Sequence, residues 1–199
     1  DSGNALGAAL NLYFNIQKKE RILIEENSND FMNNSLLGPS YTNFEIKSFL
    51  DSVNAKYLYF SEENDLIDKL VEELLKGKIF GLFRGRMEFG PRALGSRSII
   101  GDPRRQDTQT KMNLKIKFRE SFRPFAPFVI KEDLHSWFEN SREDNKYMLF
   151  VSKLLASKQH KNHNKIQNND ILSFLNQKRS EVPAITHVDF TARVQTVSK

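Results

Sequence analysis

Between Phe83 and Pro127 the chain reads FRGRMEFGPRALGSRSIIGDPRRQDTQTKMNLKIKFRESFRPFAP. From Arg84 to Arg123 it carries eight Arg and three Lys against two Glu and two Asp, an excess of seven positive charges that is larger than the +5 of the whole chain. Cationic character is therefore focused here. Most of it is arginine, whose planar guanidinium suits bidentate recognition of phosphate or carboxylate. Glycines at 85, 90, 95 and 101 interleave with the arginines, so the backbone can turn and bring N–H groups toward an anion. Gly90-Pro91 is placed to open a short helix whose N-terminus would face the same anion. Arg86, Arg92, Arg97, Arg119 and Arg123 stand among Met87, Phe89, Leu94, Ile99, Phe118, Phe122 and Phe125, and a half-buried arginine requires an anionic partner. A polyphosphate pocket is the chemistry expected. A solvated basic face and a surface for single-stranded RNA are competing readings of the same charge, although no recognition-helix or ribonucleoprotein signature accompanies it.

A second chemically equipped stretch is AITHVDFTARVQTV, residues 184–197. Read as one strand, it puts His187, Asp189, Thr191, Arg193 and Gln195 on one face, with Val188, Phe190, Ala192 and Val194 on the other. An antiparallel strand with one wet face alternates in the same way. The group types distinguish this stretch, because His, Asp, Thr, Arg and Gln together can bind a nucleotide or an acyl phosphate. His160 and His163 lie in a polar stretch without a thiol or carboxylate at metal-ligand spacing, so they read as solvated. His135, beside Trp137, reads as packing.

The elements that would position these groups give a mixed α/β pattern. Residues 4–16 place Ala5, Leu6, Ala9, Leu12, Tyr13 and Ile16 at helical spacing, with Asp1 or Ser2 as cap. From Glu25 to Tyr41 the composition turns to Asn, Ser, Gly and Pro, which reads as a connection between two bodies, with a boundary near residue 35. Residues 62–76 form the clearest helix, acidic at the start and stopped by Gly77. Strand-length apolar runs fall at Ile79–Phe83, Ala126–Ile130 and Tyr147–Leu154, with a helical stretch over Glu132–Glu139. Residues 157–181 are rich in Lys, Asn, Gln and His and read as a mobile surface insertion. The absence of cysteine rules out disulfides, thiolate metal sites and cysteine nucleophiles, and fits a reducing cytoplasm. No apolar run approaches the length of a membrane-spanning helix, and no signal-peptide layout opens the chain. A start at Asp1-Ser2-Gly3 and a stop just after a strand-like run lead us to expect a fragment cut at both ends.

Two segments, GRMEFGPRALGSRSIIGDPR (85–104) with LKIKFRESFRPFAP (114–127), and THVDFTARVQTV (186–197), resemble the C-terminal domain of the O-carbamoyltransferases of nodulation-factor and antibiotic biosynthesis. The opening DSGNALGAAL resembles the last nucleotide-site turn of the actin-like N-terminal domain of the same enzymes. The resemblance implies residues 1–24 as the end of that domain, 25–37 as a linker, and 38–199 as an incomplete C-terminal domain. It implies a mixed twisted sheet with flanking helices, like that of threonylcarbamoyl-adenylate synthases. It also implies formation of carbamoyl-adenylate from carbamoyl phosphate and ATP, with magnesium accompanying ATP. The adenylate would pass to the N-terminal domain, which holds a divalent metal, iron by preference, and carbamoylates a hydroxyl of a sugar, nucleoside or natural product. Carried onto this chain, it assigns Arg86, Arg92, Lys115, Arg119 and Arg123 to the phosphates, with Arg97 and Ser98 as further anion donors. Arg193 falls at the carbamoyl or adenylate end with His187, Asp189 and Thr191. Asp1 becomes a metal ligand and Gly3 a neighbour of the nucleotide. Arg92, Lys115, Arg123 and Arg193 are the residues expected to act in catalysis. Phe190 stands where the family usually has glycine. An RNA-binding or nucleotide-binding regulatory module on the same fold is the alternative.

Overall fold

The structure, a computed structural model, describes residues 2–21, 31–139, 141–160, 175 and 177–198. The chain divides into two compact units, Asp1–Tyr57 with Leu82–Ser98, and Leu58–Gly81 with Ile99–Lys199. In the first unit, helix α1 (Ser2–Leu10) continues as a π-type turn over Asn11–Ile16, closed by bonds such as Gln17 N–H to the Leu12 carbonyl (2.9 Å). The expected helix over 4–16 is therefore present, with a widened second half. Its apolar side chains Leu6, Leu10, Leu12, Tyr13 and Ile16 are exposed. Asp1, one of the two expected caps, lies outside the described residues, and Ser2 is already inside the helix.

Helix α2 (Asn43–Ser52) is set by a capping box that the sequence carries as Thr42-Asn-Phe-Glu45. The Thr42 hydroxyl accepts the Glu45 N–H at 3.2 Å, and the Glu45 carboxylate accepts the Thr42 N–H at 2.7 Å. Of the Asn-rich stretch upstream, 25–30 lie outside the described residues, and the part from Asn33 to Pro39 is pinned. Asn33, Asn34 and Ser35 all take positive φ, Gly38 N–H reaches the Met87 carbonyl at 3.0 Å, and Met87 N–H returns to the Pro39 carbonyl at 2.9 Å.

Helix α3 (Glu63–Leu75) opens the second unit, acidic in its first turn as expected. It ends in a Schellman motif: Gly77 N–H bonds the Leu74 carbonyl at 2.8 Å and Lys78 N–H bonds the Glu73 carbonyl at 3.0 Å. Gly77 sits at φ +78, a left-handed conformation that favours glycine. Strands β1 (Phe80–Phe83) and β2 (Arg97–Ile100) pair as a two-stranded sheet, and the chain crosses between units inside both. Helix α4 (Gln106–Met112) continues as a π-type turn over Asn113–Lys117.

The remaining strands are β3 (Phe128–Ile130), β4 (Phe138–Glu139), β5 (Val151–Leu154), β6 (Thr191–Arg193) and β7 (Gln195–Val197). β3 pairs in parallel with β7, Phe128 opposite Gln195. β4, β5 and β6 form an antiparallel sheet with Phe138 opposite Leu154 and Ser152 opposite Ala192. The α/β expectation holds, with the strands shared among three small sheets. Their inner faces, with the turn at Pro183–Ile185, bury Leu134, Phe138, Leu154, Val182, Ile185, Ala192 and Val194, against which Phe125, Val129 and Trp137 pack.

Three local expectations are corrected. The helical stretch at Glu132–Glu139 is a 3-10 helix over Lys131–Ser136; Phe138 then leaves to pair with Leu154, because pairing buries it in the core. No helix follows Gly90-Pro91, since Gly90 and Gly95 take φ of +102 and +125 and the segment runs as bends. Residues 184–197 are not one strand. A 3-10 turn, a tight turn and the short β6 come first, and at Val194 the chain passes from the sheet of β5 to that of β3. The alternation consequently fails, and Gln195 and Thr196 are both buried. Of the polar insertion, 161–174 and 176 lie outside the described residues, as does His163. Its described flanks are joined by a bridge of Gln159 to Ser180 and by Lys158 to Glu181 at 3.1 Å. His135, read as packing, is exposed, with its Nε2 3.4 Å from Glu143. No helix among the described residues is long and apolar enough to cross a membrane.

Leu134 has no exposed surface, so Leu134→Ala should leave a cavity costing about 2–5 kcal/mol of stability. Urea unfolding of the two proteins checks this, with an unchanged slope and a lower midpoint expected.

Candidate functional site

In the first unit, the Gly-Arg loop is wrapped around a carboxylate. The side chain of Glu88 is 0% exposed. Its Oε1 accepts the N–H of Leu94 at 2.7 Å and that of Ser96 at 2.8 Å, and its Oε2 faces Arg97 Nε at 3.3 Å. The Arg97 guanidinium also donates to the Gly90 carbonyl. Burial pushes the Glu88 carboxyl up, but the backbone N–H groups of Ser96 and Leu94, its own N–H and the Arg97 charge outweigh burial, and its pKa lies below the ordinary value. The N–H groups that could have faced an external anion are thus satisfied from inside, and Arg97 is tied to a partner of its own. Ser98, at the strand end, accepts the Gly95 N–H at 3.1 Å. Arg86 is exposed, with Nε on the Gly38 carbonyl at 2.6 Å, and Arg92 is exposed on the loop. Gly3, on α1, has open space around it, and Asp1 lies outside the described residues. Among the described residues no three His, Asp or Glu side chains gather as a metal cluster.

In the second unit, Asn113 organises the loop that follows α4. Its Nδ2 donates to the carbonyls of Ser121 (3.0 Å) and Arg123 (2.8 Å), and its Oδ1 accepts Arg119 Nε at 2.6 Å. Phe118 turns the chain at φ +49. The Arg119 guanidinium lies 4.9 Å from the centre of the Phe125 ring, a cation–π geometry. Arg119 is half-buried, and burial followed by the nearby Arg123 charge lowers its pKa. Arg123 is exposed beside Glu120 at 3.7 Å, and Lys115 is exposed on the π-type turn. The embedding expected for Arg86, Arg92 and Arg123 is not found, because their aromatic neighbours Phe89, Phe118 and Phe122 are themselves exposed.

The last motif forms a compact turn. Asp189 Oδ1 accepts Thr191 N–H (3.0 Å), Thr191 Oγ1 (2.7 Å) and His187 Nδ1 (3.0 Å). Burial raises the Asp189 pKa, but the Thr191 and His187 contacts outweigh it and leave it lowered. Phe190 sits at φ +64, the left-handed region that glycine enters without cost, which gives a backbone reason for glycine at this place. Arg193 is half-buried on β6, opposite Val151. The two arginine groups border one core, since Phe125 beneath Arg119 packs against the buried cluster that includes Ala192 and Val194, the neighbours of Arg193. A cavity of about 190 Å³ opens beside α4, lined by Gln106, Gln109, Thr110, Ser121, Arg179 and Thr186 among others.

Residues 71–199 match the family model described as carbamoyltransferase C-terminus. This chain belongs to the carbamoyltransferase family. It is 46% identical over 199 residues, 99% of its length, to protein sll1178 of Synechocystis, of which it covers 32%. To nodulation protein NolNO of Sinorhizobium fredii it is 39% identical over 68% of its length, covering 17% of that protein. To the 3'-hydroxymethylcephem-O-carbamoyltransferase of Amycolatopsis lactamdurans it is 36% identical over 65% of its length and covers 20%. The chain thus spans a third or less of the curated relatives it matches. The resemblance carried by the arginine loops is borne out, and two of the cations that sequence reasoning singled out, Arg97 and Arg119, are held by residues that it passed over, Glu88 and Asn113. The available signals were a lone acid among glycines and arginines, and a carboxamide one turn ahead of a basic loop.

Because the folded Glu88 pKa lies below its unfolded one, its stabilising contribution is present above the unfolded value and lost as pH falls through the folded one. The melting temperature of Glu88→Gln should fall below that of the native protein near neutral pH and converge with it in acid; a pH-independent gap would contradict the assignment.

Proposed function

We propose that the intact protein is an ATP-dependent O-carbamoyltransferase, and that this region forms carbamoyl-adenylate from carbamoyl phosphate and ATP. The observation that carries the reading is the gathering of cations on the Asn113 loop: one buried carboxamide holds the Arg119 guanidinium by its Nε and the Arg123 backbone by its carbonyl, with Lys115 on the adjoining turn. Two anionic substrates repel each other, and cations fixed in advance offset that repulsion without reorganising during reaction. Arginines suit the task because they stay charged throughout. Water would first cleave carbamoyl phosphate to carbamate and orthophosphate, and a carbamate oxygen would then attack the α-phosphorus of ATP as pyrophosphate leaves it. The family resemblance assigns Arg86 and Arg92 to phosphates, and Arg193 with the His187-Asp189-Thr191 turn to the carbamoyl or adenylate end. Arg97 and Ser98 support their loop. The acceptor is a hydroxyl compound, in keeping with the hydroxymethylcephem named for one relative. A divalent metal would belong to the part of the protein outside this chain, with Asp1 as a candidate ligand.

Supplied with ATP and carbamoyl phosphate, the intact protein should release pyrophosphate, and omission of either substrate should stop it. Arg92→Ala and Arg193→Ala should each lower this rate by about 10²-fold or more. Wild-type rates in either variant would remove that residue from the assignment. RNA binding that weakens steeply with salt, without pyrophosphate release, would favour the binding-module reading instead.

A further inference from the structure

We infer that Asn113 is a positioning residue that aims Arg119 at the anionic substrate, an inference that rests on the carbamoyl-adenylate reading above. Asn113 is fully buried, at 0% exposure, and its side chain hydrogen-bonds the arginine-bearing loop. Both hydrogens of its amide are used, on the carbonyls of Ser121 and Arg123, and its oxygen accepts Arg119 Nε. Its backbone carbonyl accepts the N–H of Arg119 at 3.1 Å. One residue therefore fixes the loop at three places, and a carboxamide suits the task because it offers two donors and an acceptor at one planar end. Aspartate has no donors for the two carbonyls and would draw Arg119 into an ion pair. Leucine would leave the carbonyls unmet. The Arg119 ring contact with Phe125 fixes the guanidinium from the other side, leaving its two terminal nitrogens as the groups to meet a phosphate in a bidentate pair.

The test uses the intact protein carrying Asn113→Asp, Arg119→Ala or both, with carbamoyl phosphate and ATP as substrates and pyrophosphate release as readout. Asn113→Asp should raise the KM for carbamoyl phosphate about tenfold or more, and amide hydrogen exchange should quicken in 118–125 while that in 182–197 stays unchanged. The double variant should have no higher KM than Arg119→Ala, because Asn113 acts through Arg119. An unchanged KM in active Asn113→Asp protein, or additive effects in the double variant, overturns the inference alone. If Asn113→Asp does not fold, Arg119→Ala decides: a raised KM with amide protection kept at 121–123 supports the inference, and an unchanged KM overturns it. Wild-type protein that releases no pyrophosphate overturns the underlying reading, and the inference with it.

Discussion

A polar side chain removed from water must find its partners within the fold, and two such side chains organise the cationic loops of this protein. Glu88 and Asn113 are buried with their hydrogen-bonding groups engaged, the first by N–H groups and a guanidinium, the second by carbonyls and a guanidinium. Unmet, each would carry the desolvation penalty of its group. The loops have little regular structure of their own, so these contacts supply much of what fixes their shape.

The two centres work with opposite polarity. Glu88 is an anion that gathers donors around itself, and so draws Arg97 and the N–H groups of Leu94 and Ser96 inward. Asn113 gathers carbonyls, and so leaves the cationic ends of Arg119 and Arg123 turned toward other partners. Arginines that look equivalent in sequence divide accordingly into one that braces its loop, Arg97, and others held at or near the surface.

Beneath the second loop, the core supplies the reference frame. Phe125 packs against the cluster of Ala192 and Val194 while its N–H bonds the Ala184 carbonyl at 3.0 Å. Arg119 on its ring is thereby referred to the same packed layer that carries Arg193. Asn145 adds a second tie across that layer, its side-chain amide donating to the Val194 carbonyl at 2.8 Å and its backbone N–H donating to Thr196 Oγ1 at 2.8 Å. These bonds meet the backbone groups exposed where the chain changes sheets.

The sequence by itself determined what depends on short range. The focus of charge, the helix over 62–76 with its glycine stop, the strand-length apolar runs and the family motifs are all properties of residues within a few positions of one another. The capping box at Thr42 to Glu45 was equally legible there, although it was passed over. Tertiary structure alone decided that Glu88 would occupy the anion position inside its loop, that Asn113 would hold the 118–123 turn, and that the strand pattern over 184–197 would break at Phe190 and Val194. In each case the outcome depends on partners brought in by folding, such as Phe128 opposite Gln195 or Val151 opposite Arg193. Alternation of residue types fixes which side chains share a face, but not which sheet that face joins.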